Sequence, residues 1–287
     1  MIYLLLSILA STAIFVVFKL FERYKINILQ AIVVNYITAC FCGIISYNSP
    51  ISTSEILNSK WFYGAVLLGF LFIAVFNLMA LTAQRNGLSV ASVASKMSVV
   101  IPVIFGFYVY NESAGLQKIF GIILALIAVY LTAIKSKSSI RLKQGLLLPF
   151  LLFLGSGVID ASIKYLETTY VSKNGIPIFS ATIFGCAAII GVFILTYKVF
   201  NNAFKFDIKN AIGGVILGII NYYSIFYLLK ALQFEGLESS TLFTVNNVAI
   251  VMVSTLAGLL LFKESISKKN WIGISLAIIS ILLVTLA

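Results

Sequence analysis

Ten apolar runs, each close to the ~20 residues that a helix needs to cross a bilayer, constrain this chain more than any other feature. Short polar gaps separate them, and they occupy residues 2–21, 28–47, 61–82, 87–110, 116–134, 145–165, 176–199, 211–232, 236–262 and 271–287. Helices satisfy their own backbone hydrogen bonds in lipid, so the runs predict ten transmembrane helices in an all-α integral membrane protein. With 61% hydrophobic and 10% charged residues, the chain is too apolar for a water-soluble globule.

The net charge of +11 would suggest a nucleic acid partner in a soluble protein, but the basic residues fall mostly in the gaps. That placement is typical of membrane topology, and no nucleic acid partner is expected. Met1 leads directly into the first run without a basic start, so we predict a retained helix and not a cleaved signal peptide. Cys40, Cys42 and Cys186 all lie inside apolar runs, where they pack as small hydrophobic residues. We therefore expect neither a metal site nor a cofactor.

Several residues recur at a constant spacing. Gly69, Gln84, Gly87 and Leu88 recur 149 residues later as Gly218, Gln233, Gly236 and Leu237, and Gly106, Glu112, Ser113 and Gly121 recur 152 residues later as Gly258, Glu264, Ser265 and Gly273. The spacing predicts two five-helix repeats, residues 1–134 and 145–287, joined by a basic loop over 135–144. Because five is an odd number, the second repeat must be inverted relative to the first.

The distribution of basic residues predicts the orientation. The odd-numbered gaps hold 14 of the 20 Lys and Arg, the even-numbered gaps hold five, and Lys96 lies inside a run. The positive-inside rule then places the odd-numbered gaps in the cytoplasm and both termini on the far side of the cytoplasmic (inner) membrane.

Lys96 is the strongest candidate for a functional residue. At ~1.5 Å per residue, it lies at least about 13 Å from either end of its run. A lysine at the bilayer centre costs about 2.5–3.5 kcal/mol on insertion scales. Its ammonium either binds a substrate carboxylate or phosphate, or forms a permanent ion pair that braces two helices. We favour binding, because charges inside membranes usually mark transport pathways.

Other polar residues inside the runs are candidates for the same site. Asp160 is a candidate counter-charge or proton-coupling residue that either pairs with Lys164 on its own helix or faces Lys96. Glu238 is a second candidate for proton coupling, because the chain contains no histidine. Pro102 either gates the fourth helix or only shapes it. The remaining candidates for substrate binding are Ser92, Asn77, Asn221, Asn246 and Asn247.

Taken as a set, the motif residues resemble the drug/metabolite transporter superfamily, in its ten-helix EamA-like family. They are Gly87, Pro102, Glu112 and Gly121 in the first repeat and Gly236, Glu264 and Gly273 in the second. The resemblance covers nearly the whole chain. It implies a secondary carrier that alternates access to a central cavity lined by helices 1–4 and 6–9 and moves small metabolites such as amino acids, often outward.

Two features depart from the family pattern. Its members usually have both termini in the cytoplasm, whereas the charge count places them outside. Val251 stands near the position that would match Pro102.

The sequence thus predicts a transporter of small polar or anionic compounds and not an enzyme. The alternatives are a multidrug exporter of cationic compounds with the same fold and a Ser-Lys intramembrane hydrolase with Lys96 as base and Ser92 one turn away. No nucleophile elbow accompanies that pair. We expect a small-molecule substrate, with protons as one candidate coupling ion, and a monomer or homodimer. Small residues predict close helix contact within one chain or between protomers; they are Gly121, Ala125, Ala128, Gly273 and Ala277.

Overall fold

The computed structural model consists of helices joined by turns and loops in the residues that it describes, which are 2–47, 53–109, 115–133, 142–171, 175–201, 206–232 and 239–285. Its helices are α1 (Ile2–Arg23), α2 (Ile28–Ile45), α3 (Thr53–Leu57), α4 (Phe62–Arg85), α5 (Leu88–Met97), α6 (Val100–Val109), α7 (Leu116–Ala133), α8 (Leu142–Tyr170), α9 (Ile176–Phe200), α10 (Ile208–Leu232), α11 (Ser239–Phe262) and α12 (Lys268–Thr285). Six of them, α1, α2, α4, α8, α9 and α10, contain stretches long and apolar enough to cross a membrane. The protein is therefore an all-α, multi-pass membrane protein. The full count of ten crossings stays a prediction.

Local sequence signals determine where several helices begin. The side chain of Asn27 caps α2, because its Oδ1 accepts a hydrogen bond of 3.1 Å from the backbone N–H of Gln30. A proline, Pro177, stands in the first turn of α9, where its missing N–H costs no helical hydrogen bond. Helix α5 follows Gly87, whose φ of 108° is a conformation that residues with a side chain rarely adopt.

The helix expected over residues 87–110 is divided in two. Helix α5 ends at Met97, a turn follows at Ser98, and α6 begins at Val100. Pro102 explains the break, because it has no N–H to donate to the Ser98 carbonyl and its ring crowds that group. This carbonyl accepts a 2.9 Å hydrogen bond from the N–H of Ile101 instead. Lys96 therefore lies in the last turn of a short helix and not at the middle of a continuous one.

Several of the odd-numbered polar gaps between helices lie together at one end of the bundle, where hydrogen bonds join them. The contacts are Gln84 Nε2 to the Phe18 carbonyl oxygen (3.0 Å), Lys19 Nζ to the Gln84 carbonyl oxygen (2.8 Å), the Asn27 N–H to Asn210 Oδ1 (2.9 Å) and the Leu88 N–H to Glu264 Oε1 (2.9 Å). We call this the basic end. At the opposite end, the rings of Trp61 and Phe179 pack edge to face with centroids 5.3 Å apart.

Two glycines at equivalent positions of the predicted repeats allow close helix packing. A Cβ on Gly218 of α10 would lie 2.6 Å from the Asn35 carbonyl oxygen of α2. A Cβ on Gly69 of α4 would lie 2.9 Å from the backbone nitrogen of Ala187 in α9. Small residues let helix backbones approach closely in lipid, where no hydrophobic effect drives helices together.

The small residues of α7 and α12 form a contact within the chain. Ser280 donates a 2.7 Å hydrogen bond to the Gly121 carbonyl oxygen, and Asn270 Nδ2 donates one of 2.8 Å to the Thr132 carbonyl oxygen. The alanines predicted to pack here are fully buried; they are Ala125, Ala128 and Ala277. Of the two settings left open by the sequence, the structure places these residues between helices of one chain.

We expect Gly218→Ala to destabilise the protein by about 1–3 kcal/mol, the usual cost of overpacking a tight interface. The added methyl group would overlap backbone atoms of α2, which cannot rotate away. Thermal unfolding of the purified protein in detergent measures the effect. Gly115→Ala is the matched control, because no heavy atom lies within 4 Å of the Cβ that it would add. Equal melting temperatures for the two variants would contradict this packing.

Candidate functional site

Helix α8 passes very close to the break between α5 and α6 because it carries glycines there. A Cβ on Gly157 would overlap the Ile101 side chain, and one on Gly155 would lie 2.6 Å from Val75 Cγ2. A larger residue at either position would force these side chains, or α8 itself, to shift. The glycines thus bring Asp160, three residues beyond Gly157, to the level of the break.

Asp160 lies on the inner face of α8. At helical spacing it follows Phe153 and Ser156, which are only 4% and 7% exposed. Leu154 and Val158, on the outer face, are 39% and 44% exposed. Asp160 is itself exposed although it lies on the buried side. Its carboxylate therefore borders an internal recess.

Lys96 of α5 and Asp160 of α8 are close enough to interact electrostatically, and Lys96 is half-buried. Among the described residues, however, no ion pair within 4.0 Å joins Asp160 to Lys96 or to Lys164. The structure turns Asp160 towards α5 and leaves the two charges apart.

Ser98 is the hydroxyl that contacts the acid. Its Oγ lies 3.4 Å from Asp160 Oδ2 and 2.5 Å from the Ser95 carbonyl oxygen. A hydroxyl has one proton, so it donates to only one of these acceptors at a time. The carboxylate of Asp160 thus keeps acceptor capacity for a ligand.

An apolar cavity of about 90 Å³ lies one helical turn further along α8. Ile163, three residues after Asp160, forms part of its wall. Its lining residues are Phe72, Ile163, Ile176, Phe179, Ser180, Ile183, Phe184 and Ile225. For comparison, an engineered cavity of ~150 Å³ binds benzene, so this volume suits a small hydrocarbon group. Charged groups and an apolar wall together are suited to a small amphipathic molecule.

Two of the predicted amides, Asn221 and Asn246, belong to a separate buried network between α1, α2, α10 and α11. Asn221 Nδ2 donates a 3.3 Å hydrogen bond to Asn35 Oδ1. Ser7 Oγ lies 3.2 Å from Asn246 Oδ1 and 3.1 Å from the Ser224 carbonyl oxygen. Within the described part of the chain, no hydrogen bond connects this network to Lys96 or Asp160. Its polar side chains bond between helices, which is how such side chains commonly join membrane helices.

The other predicted residues occupy different settings. Ser92 is fully buried and donates a 3.1 Å hydrogen bond to a carbonyl of its own helix. Asn77 donates one of 2.8 Å to a carbonyl of α4, on which it stands. Asn247 is half-buried, with no side-chain hydrogen bond to another described residue. Glu238 lies outside the described residues. For these four, a functional role stays a prediction.

Sequence reasoning did not single out Ser98 or Ser7. Ser98 did carry a signal, because it precedes Pro102 by four residues and a proline frees the carbonyl at that distance. Ser7 carried none, since a serine inside an apolar run gives no information about its partner helix.

A second polar contact joins the two predicted repeats at the basic end. Glu264, between α11 and α12, accepts from the backbone N–H of Leu88 through both carboxylate oxygens, at 2.9 Å and 3.1 Å. Leu88 is the first residue of α5, where the helix dipole favours an anion. A Cβ on Gly87 or Gly258 would lie 2.9 Å or 2.6 Å from Glu264 Oε2. Both motif glycines therefore leave room for this carboxylate, a contact that the sequence did not predict.

Comparison with known proteins places the chain in a family. A model of the EamA-like transporter family matches residues 1–134. A protein of Haemophilus influenzae described only as uncharacterized is 31% identical over 284 residues, covering 94% of this chain and 93% of that protein. The chain belongs to the EamA-like transporter family.

A solved crystal structure extends the similarity over the whole chain. It superposes with a TM-score of 0.56 at 14% sequence identity, covering 98% of this chain and 97% of that chain. At this identity the likeness concerns the fold alone. The EamA-like family indicates a membrane transporter of small compounds and not an enzyme.

Proposed function

We propose that this EamA-like protein is a secondary carrier that moves a small charged or amphipathic metabolite across the cytoplasmic membrane by alternating access. One observation carries the proposal. Lys96 and Asp160 carry opposite charges and interact electrostatically beside the break between α5 and α6, but they form no ion pair. A permanent brace would bring the two charges into a direct ion pair, whereas no ion pair within 4.0 Å joins them in the described part of the chain. Opposite charges held apart next to a recess instead suit a ligand that completes the pair.

The proposed ligand carries a carboxylate or phosphate for Lys96, as amino acids and other small anionic metabolites do. Its apolar part would occupy the cavity beside Ile163. Asp160 would receive a cationic group of the same molecule, or a proton that is exchanged for the substrate. Export is the direction that the family resemblance favours.

A multidrug exporter of cationic compounds is the second candidate. Two observations favour it: the exposed carboxylate of Asp160 and the aromatic wall of the neighbouring cavity, which includes Phe72, Phe179 and Phe184. In that case Asp160 would bind the cation, and Lys96 would keep the carboxylate ionised while the site is empty.

We also propose that the chain crosses the membrane ten times as two inverted five-helix repeats. The contacts of Gly69 and Gly218 support this. Gly69 of α4 packs on α9, and its counterpart Gly218 of α10 packs on α2. Since α2 and α9 are themselves counterparts in the predicted repeat, the two contacts are equivalent. The family match to residues 1–134 agrees with the bounds of the first repeat. Pro102 and the break before it would then act as the gate in the fourth crossing.

We expect Lys96→Met to insert and fold but to lose substrate-induced stabilisation and transport, because methionine keeps the volume and removes the charge. A thermal-shift screen against amino acids, organic acids, nucleosides and cationic drugs identifies the ligand, and proteoliposomes measure its transport. Lys60→Met is the matched control, since Lys60 is an exposed lysine outside the site.

The same screen separates the two candidates. Stabilisation by anions or zwitterions that disappears in Lys96→Met supports the metabolite carrier. Stabilisation by cations that survives in Lys96→Met and disappears in Asp160→Asn supports the multidrug exporter. Full transport by Lys96→Met in proteoliposomes would refute a role for this lysine in transport.

The orientation has its own test. Because the odd-numbered gaps hold most Lys and Arg, we expect a reporter fused after Ala287 to lie outside the cytoplasm. A reporter that is active only outside the cytoplasm should therefore give a signal there. Activity of a cytoplasm-only reporter at this position would contradict the charge count and support the usual family orientation.

A further inference from the structure

We infer that Glu264 is a positioning residue that ties α5, and with it Lys96, to the second repeat, so that α5 moves with the second repeat and not with its own. The role of Lys96 in this inference rests on the proposed function. The attachment of α5 itself rests on contacts that are independent of any substrate.

Helix α5 is a short rigid rod between two breaks in the chain. Before it, Gly87 has a φ of 108°. After it, the turn at Ser98 interrupts the helix because Pro102 removes the next hydrogen bond of the ladder. Chain positions that interrupt a helix in this way can absorb changes of φ and ψ, which is what a hinge requires.

The second repeat contacts both ends of this rod and holds its start by a directional hydrogen bond. The N–H of Leu88, at the start, donates to the carboxylate of Glu264. The hydroxyl of Ser98, at the C-terminal end, lies 3.4 Å from Asp160 of α8, but its shorter contact is with the Ser95 carbonyl of α5 itself. Among the described residues, the bond from Leu88 to Glu264 is therefore the close hydrogen bond that leads from α5 to a distant part of the chain.

The apolar contacts of α5 reach both repeats. Val93 and Met97 share a hydrophobic cluster with Ala128 of α7 and with Phe153 and Val251 of the second repeat. Apolar contacts of this sort are not directional, whereas a charge-assisted hydrogen bond fixes both distance and angle. The bond to Glu264 is thus the directional contact that distinguishes the second repeat as the attachment of α5.

The surroundings of the Glu264 carboxylate favour its contact with the start of α5. Gly87 and Gly258 leave the space that it occupies, and the N-terminus of α5 supplies the partial positive charge. Ser89, in the first turn of α5, is buried, and its hydroxyl has no hydrogen-bond partner. Ser89 is thus shielded from solvent only while the start of α5 stays in place.

Cysteine labelling at Ser89 tests the inference. In a background with Cys40, Cys42 and Cys186 replaced by alanine, Ser89→Cys introduces a thiol without the loss of a hydrogen bond. The probe is a membrane-impermeant maleimide, applied to the purified protein with no substrate present. We expect Glu264→Gln to raise the labelling rate about tenfold or more, since it removes a charge-assisted contact.

Gly258→Ala provides a second variant that keeps every charge. Its Cβ would displace the Glu264 carboxylate, so we expect the same increase in the labelling rate. If Glu264→Gln fails to insert into the membrane, Gly258→Ala still tests the inference. Glu22→Gln is the matched control, because Glu22 is an exposed acid at the basic end that pairs with Lys19, and no hydrogen bond links it to α5 among the described residues.

An increase in Glu264→Gln and Gly258→Ala, with Glu22→Gln unchanged, supports the inference. Unchanged labelling in both variants overturns it, and so does an equal increase in Glu22→Gln, which would indicate general loosening. Labelling involves no substrate, so its outcome is independent of the transport result for Lys96→Met. A fully active Lys96→Met carrier with faster labelling in Glu264→Gln would refute the proposed function and leave the attachment of α5 intact.

Discussion

The rest of the structure depends on holding two opposite charges inside an apolar bundle without joining them. Each isolated charge is costly in lipid, so the surrounding helices must supply dipoles and an accessible recess. Pro102 ends α5 beside Lys96, and the C-terminal end of a helix dipole favours a cation. On the other side, the glycines of α8 let Asp160 approach the break. A proline and two glycines, all poor helix formers, therefore make this site possible.

The helices themselves are held together by small residues and polar side chains. Gly69 and Gly218 bring backbones into contact, and Asn35 and Asn221 join α2 to α10 in the buried interior. In lipid these contacts replace the hydrophobic driving force that a soluble protein would use. The contact of Glu264 with α5 has the same character, but it lies at the basic end, where the halves of an alternating-access carrier would separate. Polar contacts thus join helices both in the interior and at the basic end.

The sequence predicted the membrane class and the two charged residues because both are one-dimensional signals: long apolar runs and rare charges within them. It could not choose the partner of Asp160, since Lys164 on the same helix and Lys96 on another were both possible until the rotation of α8 was known. The break at Ser98 was missed because a proline in a membrane helix often only kinks it. The contact of Glu264 with Leu88 joins residues 176 positions apart, a distance at which spacing says nothing about contact.

The central claim is that Lys96 and Asp160 serve transport and do not merely brace two helices. The double variant Lys96→Met with Asp160→Asn tests it most directly, because it removes both charges and leaves neither one uncompensated. We predict a melting temperature close to that of the wild type, together with loss of ligand-induced thermal shift and of transport in proteoliposomes. A double variant that transports at the wild-type rate would show that the pair is only structural, and would contradict the account.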